Sequence, residues 1–324
     1  MQLPRADGEW LDAAARLALR ARPLSRPNPG VGAIIVKQGL VVGRGWTQPG
    51  GRPHAEAIAL DQAGQSARGA TAYVTLEPCA HRSARGPACA DQLIESGVAR
   101  VVAGITDPDP RTAGRGLDRL RVAGIEAVCA EHPASRRSLA GYLTRAEHGR
   151  PHVTLKLALT RDGALTAGDG NRWITGEAAR AHVHGRRALA DAILVGGGTW
   201  RADAPRLDVR LPGLENRSPE RWVLTSGPVE GARTIATPAE IADMAGVQYL
   251  YVEGGAATAA GFLAADLIDR LELYRAPIDA GAGKPAVAGL DEAELAAAQW
   301  RPVERRQLGS DTFTAYERAP CLPE

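Results

Sequence analysis

The chain has few aromatic residues and almost no excess of charge. Its 324 residues include six Trp, six Tyr and two Phe, and 39 Lys and Arg stand against 37 Asp and Glu. Proteins that bind single-stranded nucleic acid need aromatic side chains along a basic groove. The composition therefore disfavours nucleic acid as a partner, whereas a small anionic ligand is compatible with it.

Long apolar segments are missing as well. The sequence holds no run of the roughly 18 apolar residues that a membrane-spanning helix requires, and its first eight residues, MQLPRADG, have no apolar core of a signal peptide. We therefore expect a cytoplasmic protein that makes no contact with a membrane. Cysteines of proteins in that reducing compartment bind metals or act in catalysis more often than they form disulfides. The four cysteines are Cys79, Cys89, Cys129 and Cys321.

Short apolar runs alternate with amphipathic patterns along the whole chain, which predicts an α/β fold with helices covering a sheet. In the first half we predict strands at Val31–Val36, Leu40–Val42, Ala72–Leu76, Val98–Ile105 and Ile125–Cys129, and helices at Trp10–Arg20, Ala55–Ala63, Cys89–Ser96 and Gly116–Val122. In the second half we predict strands at Val153–Leu159, Ala192–Val195, Trp222–Leu224, Tyr249–Val252, Leu271–Ala276 and Thr312–Tyr316, and a helix at Glu177–Leu189.

The length favours two domains, at roughly 100–200 residues each. A short helical stretch, Ser138–Glu147, runs into the sequence His148-Gly149-Arg150-Pro151, which is typical of a junction. We therefore predict one domain over residues 1–147 and a second over residues 148–324.

The most specific pattern in the first half is a histidine, a glutamate and two cysteines in a fixed order. His54, Cys79 and Cys89 offer one imidazole and two thiolates, which leaves a fourth position of a zinc ion open for water, as catalytic zinc requires. Glu56 is not needed as a ligand and can take a proton from that water and pass it to a departing amine. This ordered combination is the signature of zinc-dependent deaminases that act on nucleobase-like rings.

The spacing of the two cysteines departs from the usual deaminase pattern. Nine residues separate Cys79 from Cys89, where the general signature has two. The intervening loop must fold back to bring the two sulfurs together. Taken singly, each residue also fits a buried small cysteine or a surface histidine, but the ordered set with Glu56 favours zinc.

Several motifs resemble one enzyme family closely. The segments are Pro27–Ala33, Pro53–Glu56, Thr75–His81, Asp107–Pro110, Ala113–Gly116 and Arg150–Lys156. They are similar to those of the bifunctional riboflavin biosynthesis enzymes, which join a diaminohydroxyphosphoribosylaminopyrimidine deaminase to a 5-amino-6-(5-phosphoribosylamino)uracil reductase. The resemblance extends over nearly the whole chain.

This resemblance implies a cytidine-deaminase-like three-layer α/β/α domain, followed by a dihydrofolate-reductase-like α/β domain that uses NADPH. The first would deaminate 2,5-diamino-6-(5-phosphoribosylamino)pyrimidin-4-one, and the second would reduce the ribosyl group of the product to a ribityl chain. It also implies that Asn28 contacts the pyrimidine, and that the enzyme is a homo-oligomer, a dimer or a tetramer. Asn28, which lies between two prolines, equally fits a turn.

The second half shows less from its residues alone. Two glycine clusters follow predicted strands, Val195–Thr199 and Val252–Thr258, and a helix is predicted at Thr258–Leu263. Backbone N–H groups there would suit a phosphate, although a plain turn is the simpler interpretation of an isolated glycine cluster.

The resemblance assigns ligands to this half. It implies that NADPH contacts Lys156, Trp173, Thr199, Asp203, Ser226 and the loop Gly255, Ala256, Ala257, Thr258, Ala259, Ala260 and Gly261. It implies that the substrate contacts Asn171, Arg187, Leu207, Arg210 and Glu253. The two arginines suit the ribose phosphate, although surface ion pairs would also explain them. Asn171 stands where family members usually have Ser, and Ala204 where they usually have Asp.

Two other functions remain open at this point. In the first, the chain is a deaminase whose second domain only binds a ligand or acts as a scaffold, and the changes at Asn171 and Ala204 allow this. In the second, the chain is a nucleic-acid deaminase with an appended binding domain. The near-neutral charge and the scarcity of aromatics disfavour this second function.

Overall fold

The structure is a computed structural model that describes residues 3–81, 86–166, 173–280 and 290–318. The chain folds into two compact units, residues 1–149 and residues 150–324. Both units combine a mixed sheet with helices, so the predicted α/β class is confirmed. No helix within the described residues is both long enough and apolar enough to cross a membrane.

The first unit is built on a sheet that, within residues 3–81 and 86–149, has five strands in the order β2-β1-β3-β4-β5. The β1 strand pairs antiparallel with β2 and β3, and the β3, β4 and β5 strands are parallel. The elements are α1 (Arg5–Ala18), β1 (Gly32–Lys37), β2 (Leu40–Trp46), α2 (Ala55–Ala63), β3 (Thr71–Val74), α3 (Cys89–Ser96), β4 (Arg100–Ala103), α4 (Arg115–Val122), β5 (Glu126–Cys129), α5 (Pro133–Ser138) and α6 (Ala140–His148).

Both faces of this sheet are buried. Alternate residues of β1 point to opposite faces, so that Ile35 packs with α2, α3 and α4, whereas Ile34 packs with Leu11 of α1. Helix α2 lies very close to β2. A Cβ atom added at Gly45 of β2 would stand only 2.2 Å from the carbonyl oxygen of Ala55 in α2. Glycine at this position therefore allows α2 to pack this closely on β2, and α2 carries residues of the candidate site.

The second unit has one larger sheet, which within its described residues comprises eight strands in the order β12-β13-β11-β6-β10-β7-β8-β9. Neighbouring strands in the part β11-β6-β10-β7-β8-β9 are parallel. At one edge, β13 pairs antiparallel with β11, and β12 pairs antiparallel with β13. The elements are β6 (His152–Leu159), α7 (Glu177–Arg187), β7 (Ala192–Gly196), α8 (Gly197–Asp203), β8 (Glu220–Leu224), β9 (Arg233–Ile235), β10 (Tyr249–Val252), α9 (Ala256–Ala264), β11 (Arg270–Arg275), α10 (Glu292–Ala297), β12 (Trp300–Leu308) and β13 (Asp311–Arg318).

The central strand β6 separates an apolar face from a charged one. Its residues Leu155 and Leu157 enter a core of aliphatic and aromatic side chains. Lys156 points to the other face and lies 5.8 Å from the ring centre of Tyr274 on β11. Tyr274 packs there against Val183 of α7. Ionisable groups of the second unit are thus collected between the sheet and α7.

Most predicted elements occur within a few residues of their predicted bounds, with instructive exceptions. The helices at Ala55–Ala63 and Cys89–Ser96 have the predicted bounds. The glycine cluster after β7 does not end in a turn, because α8 starts directly at Gly197. Helix α9 starts at Ala256 rather than at Thr258, so most of the predicted loop Gly255–Gly261 is helical.

Candidate functional site

The start of α2 places a histidine and a glutamate at the base of a cavity. His54 is the residue before the helix, and Glu56 lies in the first turn. The side chain of Glu56 points inward, and the residue is only 4% exposed. A carboxylate at such a position is costly to bury unless partners compensate it.

Two cysteines converge on the same histidine. Cys89 is the first residue of α3, and its backbone N–H donates a hydrogen bond to the Sγ atom of Cys79 at 3.3 Å. The Nδ1 atom of His54 lies 3.2 Å from the Sγ atom of Cys89 and 3.7 Å from that of Cys79. The two cysteines therefore come together as the zinc hypothesis requires, and the three ligand atoms lie within 4.8 Å of one another.

These separations fit a zinc ion. Bonds of about 2.3 Å to sulfur and 2.0–2.1 Å to nitrogen in a tetrahedral site place ligand atoms roughly 3.5–3.8 Å apart. The donor set of one imidazole and two thiols is also one that zinc prefers. The three side chains therefore form a candidate zinc site.

The protonation of the two thiols is uneven. The side chain of Cys89 hydrogen-bonds to Cys79, which together with His54 lowers the pKa of the Cys79 thiol to about 4. The same contact with Cys79, and burial, raise the pKa of Cys89. Burial raises the pKa of Glu56, which makes that carboxylate a better proton acceptor than an exposed one.

The cavity above these residues has a volume of about 340 Å³, within the range of roughly 300–1,000 Å³ for small-molecule sites. Asn28, His54, Glu56 and Cys79 all line it. The amide of Asn28 lies directly against Gly51, where a Cβ atom would stand 2.0 Å from its Nδ2 atom. Gly51 also has a φ of +85°, so this contact depends on glycine.

A buried carboxylate, Glu77, holds one wall of the cavity. Its two oxygens accept hydrogen bonds from the backbone N–H groups of Gly114 at 2.8 Å, Gly116 at 2.9 Å, Leu117 at 3.2 Å and Asp107 at 3.3 Å. Three of these donors belong to the start of α4, where a negative charge is favourable. Glu77 thereby ties the segment that follows β4 to the segment that carries Cys79.

We expect Glu77→Gln to destabilise the first unit. The amide group of Gln would face N–H donors and leave buried groups unsatisfied, at a cost of about 2 kcal/mol. The midpoint of thermal unfolding should fall by roughly 4–8 °C, measured by calorimetry. Glu95→Gln, at an exposed position of α3, serves as the matched control and should leave the midpoint unchanged. Equal midpoints for the two variants would contradict the role given to Glu77.

In the second unit, three of the predicted residues, Lys156, Arg187 and Glu253, form a partly buried charged cluster. Arg187 donates two hydrogen bonds to the carboxylate of Glu253, at 2.6 and 3.0 Å. The Nζ atom of Lys156 lies 3.9 Å from the same carboxylate. Burial lowers the pKa of Lys156, while the charge of Glu253 opposes that shift. One carboxylate thus attracts two cations and offsets part of their mutual repulsion.

The other predicted residues of this unit are less tightly connected. A Cβ atom at Gly255 would lie 3.7 Å from the Oγ1 atom of Thr199 in α8, so the two glycine clusters are neighbours. Arg210 lies 3.2 Å from the Nε2 atom of His184. The structure places Leu207 in the interior, Asp203 at the end of α8, and Trp173 and Ser226 on the surface. Asn171 and Cys321 lie outside the described residues.

Sequence reasoning missed several residues of the first cavity. Arg52, Arg111 and Tyr142 line it, but they belong to segments without a recognisable chemical pattern. The Oη atom of Tyr142 in α6 donates a hydrogen bond to Asp107 at 2.7 Å. Asp107 is the first residue of the family motif Asp107–Pro110. That motif was the one sequence feature that pointed to this part of the cavity.

Comparisons with known proteins connect this geometry to a family. The family described as "RibD C-terminal domain" matches residues 151–233 and 234–314. The family described as "Cytidine and deoxycytidylate deaminase zinc-binding region" matches residues 4–105, in agreement with the geometry of the three ligands. The riboflavin biosynthesis protein RibD of Aquifex aeolicus is 38% identical over 318 residues, which cover 86% of this chain and 88% of that protein. The chain belongs to the RibD family.

Other RibD proteins are similar over different lengths. The protein of Haemophilus influenzae is 35% identical, with 98% of both chains covered. The protein of Escherichia coli is 46% identical over 214 residues, which cover 65% of this chain and 58% of that protein.

Solved structures show the same architecture. A deaminase/reductase from Thermotoga maritima has a TM-score of 0.83 at 29% identity, with 97% of this chain and 99% of the other covered. One form of the RibD of Acinetobacter baumannii has a TM-score of 0.81 at 33% identity over the same shares. The predicted pair of folds, cytidine-deaminase-like and dihydrofolate-reductase-like, is confirmed.

As a RibD protein, the chain is a bifunctional enzyme of riboflavin biosynthesis, with a zinc-binding deaminase domain and a reductase domain. Its substrate is a small molecule. The similarity extends through both domains, and it favours neither the scaffold function nor the nucleic-acid deaminase.

Proposed function

We propose that the first unit deaminates 2,5-diamino-6-(5-phosphoribosylamino)pyrimidin-4-one and that the second unit reduces the ribosyl group of the product with NADPH. The boundary between the two activities would lie close to residue 148. The observation that carries the proposal is the convergence of His54, Cys79 and Cys89 beside the buried Glu56 in one cavity. We also expect a homo-oligomer located in the cytoplasm.

In the deaminase, His54, Cys79 and Cys89 would hold one zinc ion. The ion would supply a water molecule activated for attack on the ring carbon that bears the amine. Glu56 takes the proton of that water at its carboxylate and passes it to the departing amine, which its raised pKa favours. Asn28, fixed against Gly51, binds the pyrimidine and orients it in the cavity.

In the reductase, the glycine clusters after β7 and β10 suit a phosphorylated cofactor. Among the described residues, a Cβ atom added at Gly198 would meet no atom within 4 Å, and one added at Gly255 would meet only Thr199. The backbone of both glycines is therefore open to a ligand. Gly255 also precedes α9, whose first N–H groups point towards that space. When bound there, NADPH supplies the hydride, and the other predicted contacts along α9 would follow from this placement.

The charged cluster would orient the sugar. Arg187 and Arg210 bind the ribose phosphate through paired hydrogen bonds. Glu253 holds Arg187 in place and contacts the substrate. Lys156 lies 3.9 Å from the carboxylate of Glu253 and would contact the cofactor. The protein mainly positions the two reactants, since the hydride chemistry belongs to the cofactor.

Two assays on the purified enzyme test the proposal separately. Metal analysis should find one zinc per chain, and the phosphorylated pyrimidine should release ammonia without NADPH. Removal of zinc by a chelator should stop ammonia release but leave NADPH oxidation intact when the deaminated intermediate is supplied. The deaminase assignment fails if the chelated enzyme still releases ammonia. The reductase assignment fails if NADPH is not consumed.

A further inference from the structure

Among its described residues, the deaminase cavity contains one cation that no acid neutralises. The described lining includes four carboxylates and two guanidinium groups, which belong to Glu56, Glu77, Asp107, Asp109, Arg52 and Arg111. A cavity with this balance of charges is unsuited to a dianion unless a positive group is free to meet it.

The other charged groups at the cavity wall have partners already. Arg111 forms a bidentate pair with the carboxylate of Asp109, with contacts between 2.5 and 3.0 Å. Asp107 accepts a hydrogen bond from Tyr142, and Glu77 accepts four from the backbone. Within residues 3–81 and 86–149, Arg52 makes no ion pair and no side-chain hydrogen bond. Its guanidinium group is therefore available to a ligand.

The position of Arg52 suits the outer part of the cavity. The residue follows a short 3₁₀ helix, Pro49–Gly51, in an extended conformation, and it comes two residues before His54. Its side chain is half-buried, and its Nη1 atom lies 3.0 Å from a Cβ position built at Gly86. The guanidinium group therefore lies between the two segments that deliver the zinc ligands His54 and Cys89, while Glu56 occupies the buried end.

We infer that Arg52 binds the phosphate of the substrate in the deaminase cavity and so makes the deaminase selective for phosphorylated pyrimidines. This inference rests on the proposed function, because it takes the ribosylaminopyrimidine phosphate as substrate. With the pyrimidine held at Glu56 and Asn28, the ribose phosphate extends towards the cavity mouth. A guanidinium fork matches two phosphate oxygens there, and no neighbouring carboxylate among the described residues has to be displaced first.

The test compares ammonia release from the phosphorylated substrate with release from its dephosphorylated counterpart, without NADPH. We expect the wild-type enzyme to prefer the phosphorylated compound. Arg52→Gln should lower kcat/KM for that compound by about 10- to 100-fold, which is the effect of losing hydrogen bonds to a charged group. For the dephosphorylated compound its kcat/KM should change less than about 2-fold. Arg52→Lys, which keeps the charge without the fork, should give an intermediate value.

Controls separate this role from a structural one. Arg44→Gln, at an exposed position of β2 outside the cavity, should match the wild type with both compounds. Zinc content, measured by atomic emission, should be equal in all variants. An equal loss of kcat/KM for both compounds in Arg52→Gln would overturn the inference. A phosphate-specific loss in Arg111→Gln but not in Arg52→Gln would also overturn it. If the wild type releases ammonia from neither compound, the proposed function fails instead.

Discussion

Replacing Glu56 with Gln is expected to reduce ammonia release by at least about 100-fold, in line with the 10²- to 10⁴-fold contribution of a positioned acid or base. Gln has nearly the shape of Glu but cannot accept and return a proton. Because Glu56 is buried in the first turn of α2 and is not one of the three converging ligands, the variant should keep its zinc. The measurements are kcat for ammonia release and zinc content by atomic emission.

The same protein contains the control for this experiment. NADPH oxidation with supplied intermediate depends on the second unit and should be unchanged in Glu56→Gln. Ammonia release at the wild-type rate would show that another group carries the proton. Loss of zinc from the variant would show that Glu56 supports the metal site rather than the proton transfer.

The candidate zinc ligands could be predicted from the sequence because the types of residue and their order match the signature of zinc-dependent deaminases. His54 and Glu56 flank the start of a helix whose bounds were predicted correctly. The number of residues between Cys79 and Cys89 does not reveal their distance in space. Only the structure shows that the backbone N–H of Cys89 donates a hydrogen bond to the Sγ atom of Cys79. The spacing of two residues in a sequence does not predict a hydrogen bond of this kind.

Residues that act through tertiary contacts were not predictable in the same way. Glu77 was visible only as part of a family motif, and its four backbone donors come from segments 30 to 40 residues away along the chain. Arg52 is significant because acids nearby have other partners, which no local pattern reveals. The edge strand β12 was missed because most of its residues are exposed and four of the nine are charged, so it lacks the alternation by which strands are recognised.

In the second unit, a substitution at Glu253 should also cause a large loss of activity. Glu253→Gln should lower kcat/KM for NADPH-dependent reduction by about 10- to 100-fold, because a hydrogen bond to a charged group contributes about 1.5–3 kcal/mol. Without that carboxylate, the cations of Arg187 and Lys156 lose the negative charge that they share. Gln keeps one oxygen that can accept a hydrogen bond from Arg187, but it lacks the charge and the second acceptor of the bidentate pair. The guanidinium group is then no longer held in place for the sugar phosphate.

The pH dependence of the residual activity distinguishes this electrostatic role from simple unfolding. In the wild type, burial lowers the pKa of Lys156 and the charge of Glu253 partly restores it. Removing that charge lowers the pKa further, so Lys156 loses its proton at a lower pH. The alkaline limb of the pH–rate profile should therefore move to lower pH in Glu253→Gln, but not in Glu253→Asp, which keeps the charge. Glu292→Gln, at an exposed position of α10, should behave as the wild type. An unshifted alkaline limb in Glu253→Gln, or reduction within about 3-fold of the wild-type kcat/KM, would contradict the placement of Lys156 and Glu253 in one functional cluster.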